Sequence, residues 1–156
     1  MLQNRFVPLG FLSIGVLAVI GPMIAFAIAS SRLSDEATLS NTYYVAADGL
    51  RGLSYPAVSA LFALAYWAAI KGRLVFRPGL LWAHLALWTL GCLLVFAPQF
   101  LTPILHVSYF DDPSKNFARL NTVSTLGYCV TLLSFAVFAI CIGEAILRRI
   151  RRKKAL

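Results

Sequence analysis

Few side chains in this sequence could do chemistry. Its 156 residues include 2 histidines, 3 cysteines and 6 acids. His84 and His106 are the natural ligands for a haem or a metal, since a neutral imidazole nitrogen binds iron, copper or zinc. If the stretch between them is helical, they lie roughly 33 Å apart and cannot clamp one cofactor within the chain. Each therefore reads as a polar group at a membrane interface. The sharper alternative is a small redox protein in which His84 or His106 binds a haem together with a partner. Cys92, Cys129 and Cys141 show no CxxC spacing, and all fall in apolar stretches. Cys129 and Cys141 would be roughly 18 Å apart along one helix. All three read as small buried apolar residues. Thr131 and Ser134 have no catalytic neighbours in sequence, and no phosphate-binding or nucleophile motif occurs.

The charged residues suggest pairing rather than catalysis. Asp48 and Arg51 are three apart and would share a helix face, as an outer-surface pair or a contact for a partner. Glu144 precedes Arg148 by four residues, a favourable helical pair. An intramembrane acid can carry protons, but a lone Glu beside a basic cluster points to structure. That cluster is Arg148, Arg149, Arg151, Arg152, Lys153 and Lys154. As a juxtamembrane segment it should set topology and attract anionic lipids. Ser59 with Ala63, and Ala65 with Ala69, place small residues four apart, where helices approach closely in lipid. That pattern fits packing within the bundle as well as against a partner. Ser59 and Ala63 are candidate partner contacts on this basis, and Asp48, Arg51 and Tyr55 are candidates as part of the outer loop.

These groups need elements to hold them. The chain is 60% hydrophobic and 13% charged, with a mean hydropathy of +0.78. A soluble domain carries about a quarter charged residues, so this is an integral membrane composition. The net charge of +8 does not indicate nucleic acid, because the cations sit at the ends of apolar runs. Four runs, about 7–30, 53–70, 80–97 and 120–147, are long enough to span a bilayer. The expected fold is an all-α integral membrane bundle of four transmembrane helices over 1–147, with a basic tail at 148–156. Pro56 should fall near the start of the second helix, where its missing N–H is harmless. The first run is too long for a typical signal peptide and reads as an anchor. Ten basic residues fall on the side of the two termini and four on the other, so both termini should be cytoplasmic. Tyr66, Trp67 and Trp82 would line the inner interface; Tyr43, Tyr44, Tyr55 and Tyr109 would line the outer one.

Four local stretches, taken in order, resemble the last four helices of subunit I of haem–copper cytochrome oxidases. Asn41-Thr42-Tyr43-Tyr44-Val45-Ala46-Ala47 is similar to that family's Asp-Thr-Tyr-Tyr-Val-Val-Ala. Phe96-Ala97-Pro98-Gln99 is similar to its Phe-Phe-Pro-Gln. Asn121-Thr122-Val123-Ser124-Thr125-Leu126-Gly127 is similar to its Asn-Thr-Ile-Ser-Ser-Met-Gly. Glu144-Ala145 matches a Glu-Ala in its final helix. The resemblance covers about 4–147. In the family the tyrosine-bearing segment leads into His-Phe-His, whose histidines bind the two haems. Here those positions are Asp48, Gly49 and Leu50, which do not replace imidazole as haem ligands. The family's upstream His-Asp reads Ser40-Asn41. Its Met-Pro-Arg-Arg motif is missing, and Ile104-Leu105-His106-Val107-Ser108-Tyr109 stands in that region. The resemblance thus implies a scaffold without its redox chemistry and without a cofactor. The expected function is a non-catalytic accessory, stabilising or assembly subunit of a bacterial bioenergetic complex, respiratory or photosynthetic, in the inner membrane. A small-molecule carrier is disfavoured, because no broken helix or inverted repeat is evident.

Overall fold

The computed structural model describes residues 3–30, 42–104 and 113–154, with side chains placed for 6–21, 23–24, 53–97 and 121–152. Among the described residues the chain is all helical. The four helices are α1 (Gln3–Ser30), α2 (Thr42–Lys71), α3 (Pro78–Ile104) and α4 (Pro113–Lys154). Three contain stretches long and apolar enough to cross a membrane: Leu53–Lys71, Pro78–Ala97 and Asn121–Arg152. In α1 the described apolar stretch is the shorter Phe6–Gly21. The composition and these helices are those of a membrane protein.

The helices outrun the expected apolar runs: α3 continues to Ile104, and α4 begins at Pro113 rather than near 120. Helix α2 begins at Thr42, so the Asp48–Pro56 stretch is helical, and Pro56 lies inside the helix rather than at its start. An interior proline loses one backbone hydrogen bond and crowds the carbonyl four residues earlier. Here that residue is Gly52, which has no Cβ to add to the crowding. At the other end, the basic tail is a continuation of α4 as far as Lys154.

Helix α1 packs against α2 and α3, and α3 packs against α4. The α3–α4 seam is the tightest. A Cβ added at Gly127 would lie 2.7 Å from the Val95 backbone nitrogen, and one at Gly91 would lie 2.5 Å from Thr131 Cγ2. These two contacts fix an antiparallel register, with residue 91 against 131 and residue 95 against 127. Only glycine permits such an approach, and in lipid close fit is what drives helices together. Helix α2 meets α3 and α4 differently, through large side chains. Phe62 packs on Trp88, Phe135 and Phe138. Tyr66 packs on His84 and Phe138.

The α2–α3 connection is short and capped. Leu74 N–H donates to the Ala69 carbonyl, and Arg73 N–H donates to that of Ile70. This is the Schellman arrangement, and it puts Arg73 in the left-handed region at φ 59°. Leu74 and Ala69 both pack on the core, as the motif favours. Phe76 is buried and meets the Tyr66 ring edge-on, pinning the turn to the bundle.

Candidate functional site

The polar groups inside the bundle form a chain of contacts around His84. Helix α3 carries His84 and Trp88 one turn apart, both facing inward and both essentially inaccessible. The His84 Nδ1 and the Tyr66 hydroxyl from α2 are hydrogen-bonded at 2.7 Å. The thiol of Cys141, on α4, lies beside that hydroxyl. One turn along α3, the Trp88 indole N–H donates to Ser59 Oγ at 2.8 Å. Polar groups facing apolar surroundings are costly unless paired, and these two bonds pair four side chains across the α2–α3 diagonal. Two buried atoms, His84 Nε2 and Ser134 Oγ, have no hydrogen-bond partner among the described residues.

The imidazole is enclosed by rings. Phe11, Phe62, Tyr66 and Phe138 surround it, with centroids between 4.6 and 5.6 Å away. They come from α1, α2 and α4, so every helix closes on His84. An axial haem ligand needs an open, porphyrin-sized face beside its free nitrogen. His84 has one nitrogen engaged by Tyr66 and the rest of its ring shut in by phenyl groups. These residues do not fit a haem. His106 lies outside the described residues.

An apolar groove of about 200 Å³ opens between α1 and α3, with Ile14, Leu17, Leu93 and Phe96 among its walls. That is below the roughly 300–1,000 Å³ of small-molecule pockets. Its polar lining groups are Thr89, whose hydroxyl donates to the Leu85 carbonyl of its own helix, and the Cys92 thiol. Among the described residues, no three His, Cys, Asp or Glu side chains come together to hold a metal.

Several sequence expectations change at this level. Tyr55, Ser59 and Ala63 are buried within the chain itself, not displayed to a neighbour. Ser59 lies under Trp88, and Tyr55 packs on Trp88 and Phe96. Tyr66 is in the core rather than the inner aromatic belt, whereas Trp67 and Trp82 are half exposed. His84 is a core residue, not an interfacial one. Cys92 and Cys141 are buried as expected, but Cys129 is exposed, its helix face turned outward. Glu144 and Arg148 form the anticipated pair on α4. Asp48 and Arg51 lie on α2, but their side chains fall outside the described residues. So do those of Lys153 and Lys154. What sequence reasoning missed was the Tyr66–His84 pair, whose members stand 18 positions apart on different helices.

The fold and this interior define an all-helical membrane bundle with a closed core, in which Tyr66 pairs with His84 and Trp88 with Ser59. No family model matches the chain, and neither does any solved structure.

Proposed function

We propose that the chain is a non-catalytic accessory, stabilising or assembly subunit of a bacterial bioenergetic membrane complex, with an oxidase as the first candidate. The observation that carries this reading is the engagement of His84. The side chain best suited to cofactor chemistry is spent on internal packing, hydrogen-bonded to Tyr66 inside a closed ring shell. The ligand-free segment at Asp48, Gly49 and Leu50, within an otherwise oxidase-like stretch, supports the same conclusion. In this proposal all four helices span the inner membrane and both termini are cytoplasmic. Helix α1, with 28 residues, is about 42 Å long, enough to cross.

The partner surface we assign is the outer faces of the helices, with Asp48 and Arg51 near the start of α2. Leu61 and Leu64 on α2, and Leu132 on α4, are more than half exposed and available to a neighbouring helix. The test is gentle detergent extraction, native separation and identification of what comigrates. The chain should run with a larger complex, and its deletion should lower the amount of that complex without changing turnover per complex. Migration alone, with every bioenergetic complex unchanged on deletion, would sink the proposal. Bulky residues at Leu61, Leu64 or Leu132 should release the chain from its partner while leaving its own fold intact.

A further inference from the structure

The end of the bundle at the α2–α3 turn is cationic, and its geometry is specific. Lys71, Arg73 and Arg77 are exposed there on the turn. Continuing the antiparallel register of Gly91 with Thr131 along α4 brings Arg148 about level with that turn. Burial of Cys141 and Ala145 shows that α4 stays packed almost to this depth. Arg149, Arg151 and Arg152 follow as exposed residues on the helix beyond it. The only acid with a described side chain here is Glu144, which is already paired with Arg148. Every Lys and Arg whose side chain is described lies at this end. Trp67 and Trp82 stand about one turn nearer the bundle centre, half exposed. Lys71 Nζ sits 3.8 Å over the Trp67 ring. Two exposed indoles, with cations one turn further out, mark the depth of a membrane surface.

One residue in this rim is conformationally costly. The capping position that Arg73 occupies normally holds glycine, because a left-handed backbone crowds a Cβ. At φ 59°, Arg73 bears that crowding, although a glycine stands next to it at Gly72. A strained residue held in place by its surroundings is a pointer to function. The cap hydrogen bonds and the Phe76 anchor hold this turn against the bundle. The guanidinium of Arg73 is therefore carried on a pre-organised backbone rather than on a loose loop.

We propose that the turn and the adjoining end of α4 together form a composite binding site for the headgroups of anionic phospholipids. Lys71, Arg73 and Arg77 provide the fixed half, and Arg149, Arg151 and Arg152 provide the half beyond the bundle. This moves the site from the α4 tail alone to the turn. Each cation near a charged bilayer surface contributes roughly a fivefold gain in retention. Arg73 is retained for its charge, at the expense of the backbone. The inference rests on the membrane character of the chain and does not depend on any partner subunit.

The experiment uses the full chain in detergent. It is challenged with mixtures of phosphatidylglycerol and phosphatidylcholine of matched acyl chains, and retained lipids are counted by native mass spectrometry. The wild type should retain phosphatidylglycerol selectively. Soluble glycerol phosphate should not displace it, since the lipid is also held through its chains. Arg73→Gly removes the charge and also relieves the backbone, so the fold should be as stable as wild type or slightly more so. Its retention of phosphatidylglycerol should fall roughly fivefold, and that of Arg73→Gln/Arg77→Gln about thirtyfold. Equal retention of the two lipids by wild type would overturn the proposal. So would undiminished phosphatidylglycerol retention by Arg73→Gly, or displacement by glycerol phosphate alone.

Discussion

The α3–α4 seam and the α2 side of the bundle reach the same end by opposite means. At the seam there is almost nothing between the backbones. Gly91 and Gly127 let α3 and α4 approach until an added methyl would strike Thr131 or Val95. On the α2 side, Phe62, Tyr66 and Ser59 reach across to His84, Trp88 and Phe138, and two hydrogen bonds tie the rings together. Lipid tails are as apolar as leucine, so neither contact gains from leaving water. One gains dispersion through short distance. The other gains it through large surfaces, and its polar bonds select one arrangement of the rings. Strain should therefore be expensive at the seam, whereas loss of a polar partner should be expensive on the α2 side.

The largest effect should come at the seam. Gly127→Val places carbon against the Val95 nitrogen and the Leu94 carbonyl carbon, both backbone atoms that cannot swing aside. It should cost about 3 kcal/mol, the upper end of overpacking. Reversible unfolding in mixed detergent, followed by tryptophan fluorescence, measures this. A shift below 1 kcal/mol would mean the seam yields and the comparison is wrong.

On the α2 side, Tyr66→Phe should cost about 1–3 kcal/mol by leaving His84 Nδ1 buried without its partner. The double variant Tyr66→Phe/His84→Phe should recover much of that, since replacing both partners with apolar groups is far cheaper than removing one. A strictly additive double variant would show that packing, not the hydrogen bond, is what Tyr66 supplies. Trp88→Phe should cost about 2 kcal/mol, from the lost donor to Ser59 and from the cavity left where the indole packed on Tyr55, Phe62 and Phe135.

The smallest effects should come at Gly10 and Gly143, both outside the seam. At Gly10 the first atoms an added methyl meets are the flexible tips of the Leu85 side chain. Gly10→Ala should therefore lie within about 0.5 kcal/mol of wild type. At Gly143 nothing lies within 4 Å, so Gly143→Ala should stabilise α4 by up to about 1 kcal/mol through helix propensity alone. If Gly143→Ala destabilises as Gly127→Val does, glycine is acting through something other than interhelical distance.

Composition and the length of the apolar runs determined the class of this protein. The cations marked the ends of those runs, and Glu144 with Arg148 was readable because both lie on one helix at a spacing of four. Local geometry is enough for such features. Which side of each helix faces inward was not readable. In a soluble protein the apolar stripe points to the core, but here Leu61, Leu64 and Leu132 point outward while Ser59, His84 and Ser134 point inward. A lipid-facing surface is as apolar as the interior, so hydropathy cannot distinguish them. Cys129 was misplaced and Tyr66 assigned to the interface for that reason. The spacing of Ser59 and Ala63 fitted packing inside the bundle as well as against a partner, and only the tertiary structure placed both inside it. Helix α2 continues through Gly49, Gly52 and Pro56, which punctuate the sequence like a loop. The left-handed Arg73 was also invisible, because its backbone is set by the hydrogen bonds of Arg73 and Leu74 to the end of α2 and by the burial of Phe76 against Tyr66.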